Sequence, residues 1–142
     1  MIKLPQAFLN EMNDLFAVNG MLEQWPDFLV SFQEQSAGGV RANTLKIQSA
    51  DLRQLLAESL GTALEALQPI PWTHDGFYLP PGCQPGRLPW HSAGLYYIQE
   101  PSAMLPAVVL AARPGEKILD LCAAPGGKSC RIAADLQGEG LL

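Results

Sequence analysis

Basic residues are scarce in this chain. Nine Lys and Arg stand against fourteen Asp and Glu, giving 142 residues a formal charge of −5. Affinity for nucleic acid comes largely from cations that neutralise phosphates, so composition alone excludes a strongly basic phosphate-gripping module. Only Arg41, Lys46 and Arg53 lie close together in the N-terminal region. Cysteine is nearly lacking: Cys83, Cys122 and Cys130 are unevenly spaced and form no Cys-x-x-Cys pair. That excludes a zinc ribbon or a disulfide framework, and it fits reduced thiols in a cytoplasmic setting. His74 and His91 are isolated from other ligand types, so no metal is expected. No run approaches the ~20 apolar residues of a membrane helix. The first residues lack a basic-then-apolar secretory pattern, so secretion is not expected. What is present is a hydrophobic content of 48%, enough for a packed core.

Hydrophobic spacing sets out the elements. Residues 5–19 carry Phe8, Met12, Leu15 and Phe16 at helical intervals, and Gly20 suits a helix end. A second helix begins near Pro26 and is expected to run to the Ala37-Gly38-Gly39 stretch. Residues 40–45 read as a strand. Residues 50–60 read as a helix with Leu52, Leu55, Leu56 and Leu60 inward and Ser49 or Asp51 near its cap. A Pro- and Gly-rich stretch follows, with a short strand around Gly76-Phe77-Tyr78 and a turn at Pro80-Pro81-Gly82. Residues 95–98 form another short strand. Pro101 opens a helix reaching about Ala112, in which Pro106 is expected to produce a kink. The chain divides into 1–91 and 92–142, with the junction between 88 and 94.

Residues 117–129 carry the chemistry: Lys-Ile-Leu-Asp-Leu-Cys-Ala-Ala-Pro-Gly-Gly-Lys-Ser. A buried parallel strand over 117–121 is expected to run into a glycine turn, and 128–136 to continue as a helix. Such a turn lets a ligand approach the backbone, and the new helix offers unpaired N–H groups. This is where doubly wound α/β folds bind nucleotide-like molecules. Two better-known loops fail. A P-loop ending in Gly127-Lys128-Ser129 needs its first glycine where Cys122 stands, and Gly126 does not begin a Gly-x-Gly-x-x-Gly fingerprint. An acid at the strand end plus Pro-Gly-Gly suits a cationic nucleoside-bearing ligand such as S-adenosylmethionine. Asp120 would face its charged side and Cys122, Ala123, Ala124, Pro125, Gly126, Gly127 and Lys128 would line it. A plain strand-to-helix turn is the alternative.

The stretch from Asp120 to Ser129 resembles the first cofactor motif of the Sun-type RNA (cytosine-5) methyltransferases. Two upstream stretches resemble the same family: Tyr96-Tyr97-Ile98-Gln99-Glu100-Pro101-Ser102-Ala103-Met104, and Val40-Arg41-Ala42-Asn43-Thr44-Leu45-Lys46. The likeness is greatest to the bacterial branch that modifies ribosomal RNA. It implies an α/β protein: an N-terminal α+β accessory domain, then the beginning of a Rossmann-like S-adenosylmethionine-dependent methyltransferase domain. It also implies ribosomal RNA as partner and a site beside Gln99 and Glu100; no membrane is expected, for want of a long apolar run. One strand–helix unit after the junction is too little for such a domain, so the sequence is expected to be an N-terminal fragment.

The resemblance further implies a cysteine that adds to carbon 6 of cytosine, so that carbon 5 can attack the methyl group. Its two cysteines stand in Pro-Cys and Thr-Cys contexts. None of the three here matches, so no catalytic nucleophile is assigned within the chain. Cys122 and Cys130 are expected to be buried small hydrophobes. Arg41 and Lys46 are read as phosphate contacts or as salt-bridged residues on an exposed strand. A different class of protein also fits: a non-catalytic RNA-binding or scaffold protein that keeps the opening of a methyltransferase. A nucleotide hydrolase is disfavoured by the loop spacing.

Overall fold

A computed structural model describes residues 3–34 and 37–142. The chain forms two compact units, Met1–Ser36 and Ala37–Leu142. In the first, α1 (Gln6–Val18) and α2 (Trp25–Ser31) are joined through a 3₁₀ turn at Leu22–Gln24. Phe8, Phe16, Trp25, Phe28 and Phe32 gather between them, with the Phe16 and Phe28 ring centroids 4.9 Å apart. The expected aromatic stripe is therefore an aromatic cluster, although no residue of either helix is fully buried. Helix α2 stops at Ser31, and the expected approach to Ala37 passes through residues 35 and 36, outside the described residues.

The second unit is a mixed helical and antiparallel structure. Strands β1 (Gly39–Ala42), β2 (Gly76–Tyr78) and β3 (Tyr96–Ile98) form one sheet in the order β2-β1-β3. Val40 faces Phe77 on one side and Ile98 on the other. Because β1 is central, all four of its residues are buried. It ends three residues before the expected Leu45. The Asn43 side chain accepts the Leu45 N–H and donates to Gly94 O at 2.9 Å, so the chain turns out of the sheet there. Strand β3 lies beyond the junction expected at 88–94 and nevertheless pairs with β1.

Helix α3 (Ser49–Leu60) covers the sheet with Leu52 and Leu56, both fully buried, while Leu55 and Leu60 are only half-buried. Its N-cap is Gln48, and no side chain caps it. At the other end Gly61 takes φ 63°, and the amides of Gly61 and Thr62 reach back to Glu58 and Ala57. This is the left-handed cap that glycine makes cheaply. Val40, Leu52, Leu56, Leu67, Phe77 and Tyr96 form the main core.

After a short α4 (Pro89–Ser92), helix α5 (Pro101–Leu110) runs on through Pro106, and α6 (Gly127–Leu136) packs on it. Ala107, Ala112, Ile132 and Leu136 make a second core cluster with Ile118 against it. The strand expected over 117–121 is reduced to a single parallel bridge, Lys117 to Leu141. Leu119 is 80% exposed and Leu121 86%. A parallel strand is buried by neighbours on both sides, and among the described residues only Leu141 pairs with this one. Leu141, in the residues after Gly138, supplies that partner. Among the described residues, no helix is long and apolar enough to cross a membrane.

Candidate functional site: the turn into helix α6

Asp120 organises the turn. One carboxylate oxygen accepts the Cys122 N–H at 2.9 Å and the other accepts the Ser129 hydroxyl at 2.6 Å. Both ends of the loop are thereby tied to one side chain. The Ser129 hydroxyl, then the Cys122 amide, hold the Asp120 carboxyl below its ordinary value, with Lys128 adding to the effect. A depressed carboxylate stabilises the fold above its unfolded pKa and loses that contribution as pH falls through the folded pKa. Ser129→Ala removes the largest cause, so the Asp120 carboxyl is expected to titrate upward, toward ordinary aspartate. Carbon-detected NMR titration reads this directly. An unmoved midpoint would mean that Ser129 does not hold the carboxylate.

The glycines have different duties. Gly126 has φ 114°, a conformation that disfavours any side chain, and a Cβ there would meet only Cys130 Sγ, at 3.8 Å. Gly127 is buried, and a Cβ would lie 2.9 Å from Gln99 Nε2 and 3.2 Å from Tyr97 Cε1. Its bareness therefore serves packing against Tyr97 of β3 and Gln99 just beyond it. Among the turn residues, Cys122, Ala123, Ala124 and Pro125 are exposed, whereas Asp120 and Lys128 are half-buried. The first helical bond of α6 runs from Cys130 N–H to Gly126 O. The N–H groups of Gly127, Lys128 and Ser129 are left as the orphan donors of a helix start.

The sheet holds the turn from behind. Arg41 donates from Nη2 to Gly127 O at 2.9 Å, and its Nε lies 3.5 Å from Gln99 Oε1. The Tyr97 hydroxyl donates to Pro125 O at 3.1 Å, and Gln99 donates to Ala103 O. Gln99 thus lies against the start of α6, its Nε2 2.9 Å from where a Gly127 Cβ would stand. Arg41 is expected as a phosphate contact or as a salt-bridged residue on an exposed strand, and the exposure is not found. It is 3% exposed, and burial pushes its guanidinium below the ordinary value, against the opposing pull of Asp75.

A buried polar network lies under this. Asp75 is fully buried, receives Arg131 Nη1 at 2.7 Å and the Thr73 hydroxyl, and has Arg41 Nη1 at 3.9 Å. Arg131 also pairs with Asp135 one turn along α6, at 2.8 Å. The two apolar clusters are thus joined by charge. Sequence reading missed Asp75 and Arg131 entirely. The Arg131-x-x-x-Asp135 spacing was its one local signal, since salt-bridged pairs favour that interval on a helix.

Two expectations are corrected. Cys122 and Cys130 are both exposed thiols, not core residues, and Cys83 is half-buried. His74 and His91 are exposed, and His91 lies against the Tyr96 ring. No cluster of metal-ligating side chains occurs among the described residues.

Residues 4–101 match the model of the N-terminal domain of 16S rRNA methyltransferase RsmF. The chain belongs to this family. All of its length aligns with ribosomal RNA small subunit methyltransferase F of Shewanella amazonensis, at 37% identity over 146 residues. The protein of the same name from Escherichia coli is 37% identical over 147 residues, covering 99% of this chain. The chain spans 30% and 29% of these two relatives. A solved structure of a methyltransferase homolog protein from Pyrococcus horikoshii superposes with TM-score 0.76 and 30% identity, over 96% of this chain and 47% of that one. The family model ends at residue 101, so it includes β1, Arg41 and Gln99, while the turn lies past its end.

Proposed function

We propose that this chain is part of an S-adenosylmethionine-dependent RNA (cytosine-5) methyltransferase that acts on ribosomal RNA in the cytoplasm. Residues 1–91 serve as the RNA-interacting accessory region and 92–142 open a Rossmann-like catalytic domain. The observation that carries the reading is the turn of 120–128. It combines an ionised Asp120, an open left-handed glycine and the free N–H groups of α6, all fixed by Arg41 and Tyr97 from the sheet. These groups fit the cofactor by their chemistry. A carboxylate at the strand end complements a cationic ligand, while main-chain donors and the bare Gly126 accept its polar aminoacyl and ribose parts. The cofactor supplies an electrophilic methyl group. The residues of this chain bind and orient it: Asp120 keeps its carboxylate charged and the loop shaped, and Gln99 and Tyr97 keep α6 in register with the sheet.

The nucleophilic cysteine is not assigned to Cys83, Cys122 or Cys130, none of which stands in a Pro-Cys or Thr-Cys context. The 142-residue chain alone is therefore expected to transfer no methyl group. The decisive assay gives the whole protein labelled S-adenosylmethionine with ribosomal RNA or assembled subunits, followed by nucleoside analysis. Label in 5-methylcytidine is expected. Isothermal titration of the Gly126→Val protein is expected to show cofactor binding abolished, since a β-branched side chain enters the open face of the turn at a φ it cannot adopt. Label in another nucleoside would overturn the cytosine-5 assignment, and unchanged affinity would overturn the cofactor site. A non-catalytic scaffold would bind RNA and give no labelled nucleoside at all.

A further inference from the structure

Behind the turn, on the side of the sheet, lies a second cleft of about 160 Å³, bounded by Arg41, Asn43, Lys46, Tyr96, Tyr97 and Cys130. We propose that it receives a backbone phosphate and part of the adjoining ribose of an RNA strand, next to the turn but separate from it. This rests on the RNA reading above and says where, on this chain, the strand is gripped.

Charge is the first argument. Two cations line the cleft, Arg41 and Lys46, in a protein whose net charge is −5. The nearby carboxylates are Asp75, whose Oδ1 bonds Arg131 at 2.7 Å, and Asp135, which pairs with Arg131 at 2.8 Å. Arg41 is left with Asp75 at 3.9 Å, too long for a hydrogen bond. Lys46 has no carboxylate within 4 Å among the described residues. It is exposed, and its Nζ donates to Ala93 O at 2.7 Å. An ammonium has three donors, so two remain for a ligand. The cation excess therefore lies on the Arg41 and Lys46 side, where an anion would offset the cost of burying Arg41.

Shape is the second. The volume falls below the roughly 300 Å³ at which pockets for whole small molecules begin, which suits a phosphate and sugar edge rather than a nucleoside. Tyr97 is half-buried and its hydroxyl is engaged with Pro125, so it presents ring surface to a sugar or base. The Asn43 amide is fixed by Gly94 O and the turn at Leu45, which pre-orders the rim. The consequence is a division of labour. The exposed side of the turn, at Cys122, faces the cofactor, and the sheet side, at Cys130, faces RNA.

The two exposed thiols make this testable without any activity measurement. The protein is treated with iodoacetamide and the modified cysteines are mapped by mass spectrometry, with a short oligouridylate, inorganic phosphate or S-adenosylmethionine present. Oligouridylate at low salt is expected to slow Cys130 alkylation by about tenfold, with the protection fading as salt rises, as counterion release requires. Cys122 should remain reactive. Lys46→Gln should weaken the protection severalfold and Lys46→Arg should restore it, both with an unchanged circular dichroism spectrum. Equal Cys130 reactivity with and without RNA overturns the proposal, and so does protection indifferent to Lys46→Gln. Protection by inorganic phosphate as strong as by RNA assigns the cleft to a free anion instead. Should S-adenosylmethionine fail to protect Cys122 while RNA protects Cys130, the cofactor reading falls and the cleft stands.

Discussion

Replacing Asp75 by alanine is expected to cost the second unit about 3–5 kcal/mol, the range for removing one partner of a buried ion pair. Asp75 is fully buried and is the carboxylate between Arg41 and Arg131. Without it two guanidinium groups share a dry space, with Arg131 keeping only Asp135 and Thr73 losing the acceptor for its hydroxyl. One oxygen of Asp75 has no hydrogen-bond partner in the protein, so the network is already imperfectly satisfied. That imperfection leads to a second expectation. Asp75→Ala combined with Arg131→Met should be less damaging than the sum of the two single changes, because the second change removes one of the stranded charges. Urea unfolding gives both values. A loss below about 1 kcal/mol for Asp75→Ala would show that water enters and solvates the arginines, and the network would not be dry.

The amides of Leu119 and Leu121 are expected to exchange at least about a thousandfold faster than that of Ala42. Local opening free energies run from near zero to the global value of at least about 5 kcal/mol, and each ~1.4 kcal/mol is a factor of ten. Ala42 donates to Asp75 O at 2.8 Å within the central strand of the sheet. Of the stretch over 117–121, only Lys117 pairs with another strand, through Leu141, and the next amide, Ile118, reaches Leu141 O. Leu119 and Leu121 project into solvent. Hydrogen exchange read by NMR on a monomeric sample decides it. Equal protection would mean that the stretch has found a partner that the single bridge does not provide. If protection rises only as the protein is concentrated, that partner is another copy pairing on an open strand edge.

Where a few neighbours in sequence determine an element, the sequence was readable. Leu52 and Leu56 with Gly61 define α3, and Pro125-Gly126-Gly127 defines the turn and the start of α6. Readings failed where an element depends on distant parts. A parallel strand needs flanking strands to be one, and Ile118-Leu119-Asp120-Leu121 looks the same on paper whether or not they are there. Asp75 and Arg131 belong to segments with no local signal linking them, so their pairing is invisible without the fold. Residue type misled for Cys122 and Cys130. Cysteine is usually buried, but these two stand on the open side of the turn and the rim of the cleft. Arg41 misled the other way, since a charged residue on a short strand suggests exposure and the central place of β1 buries it.

The bond from Arg41 to Gly127 also has a bearing on synthesis. The two residues are 86 positions apart, so at about 5–20 residues per second the arginine leaves the ribosome about 4–17 s before the glycine. Strand β1 can meet β2 early, but its other edge stays open until residues 96–98 arrive. The sheet is thus complete before the turn exists, and the turn is laid onto a surface already built. A chain halted between Gln99 and Gly127 would hold its guanidinium beside Gln99 with no Gly127 carbonyl to receive it.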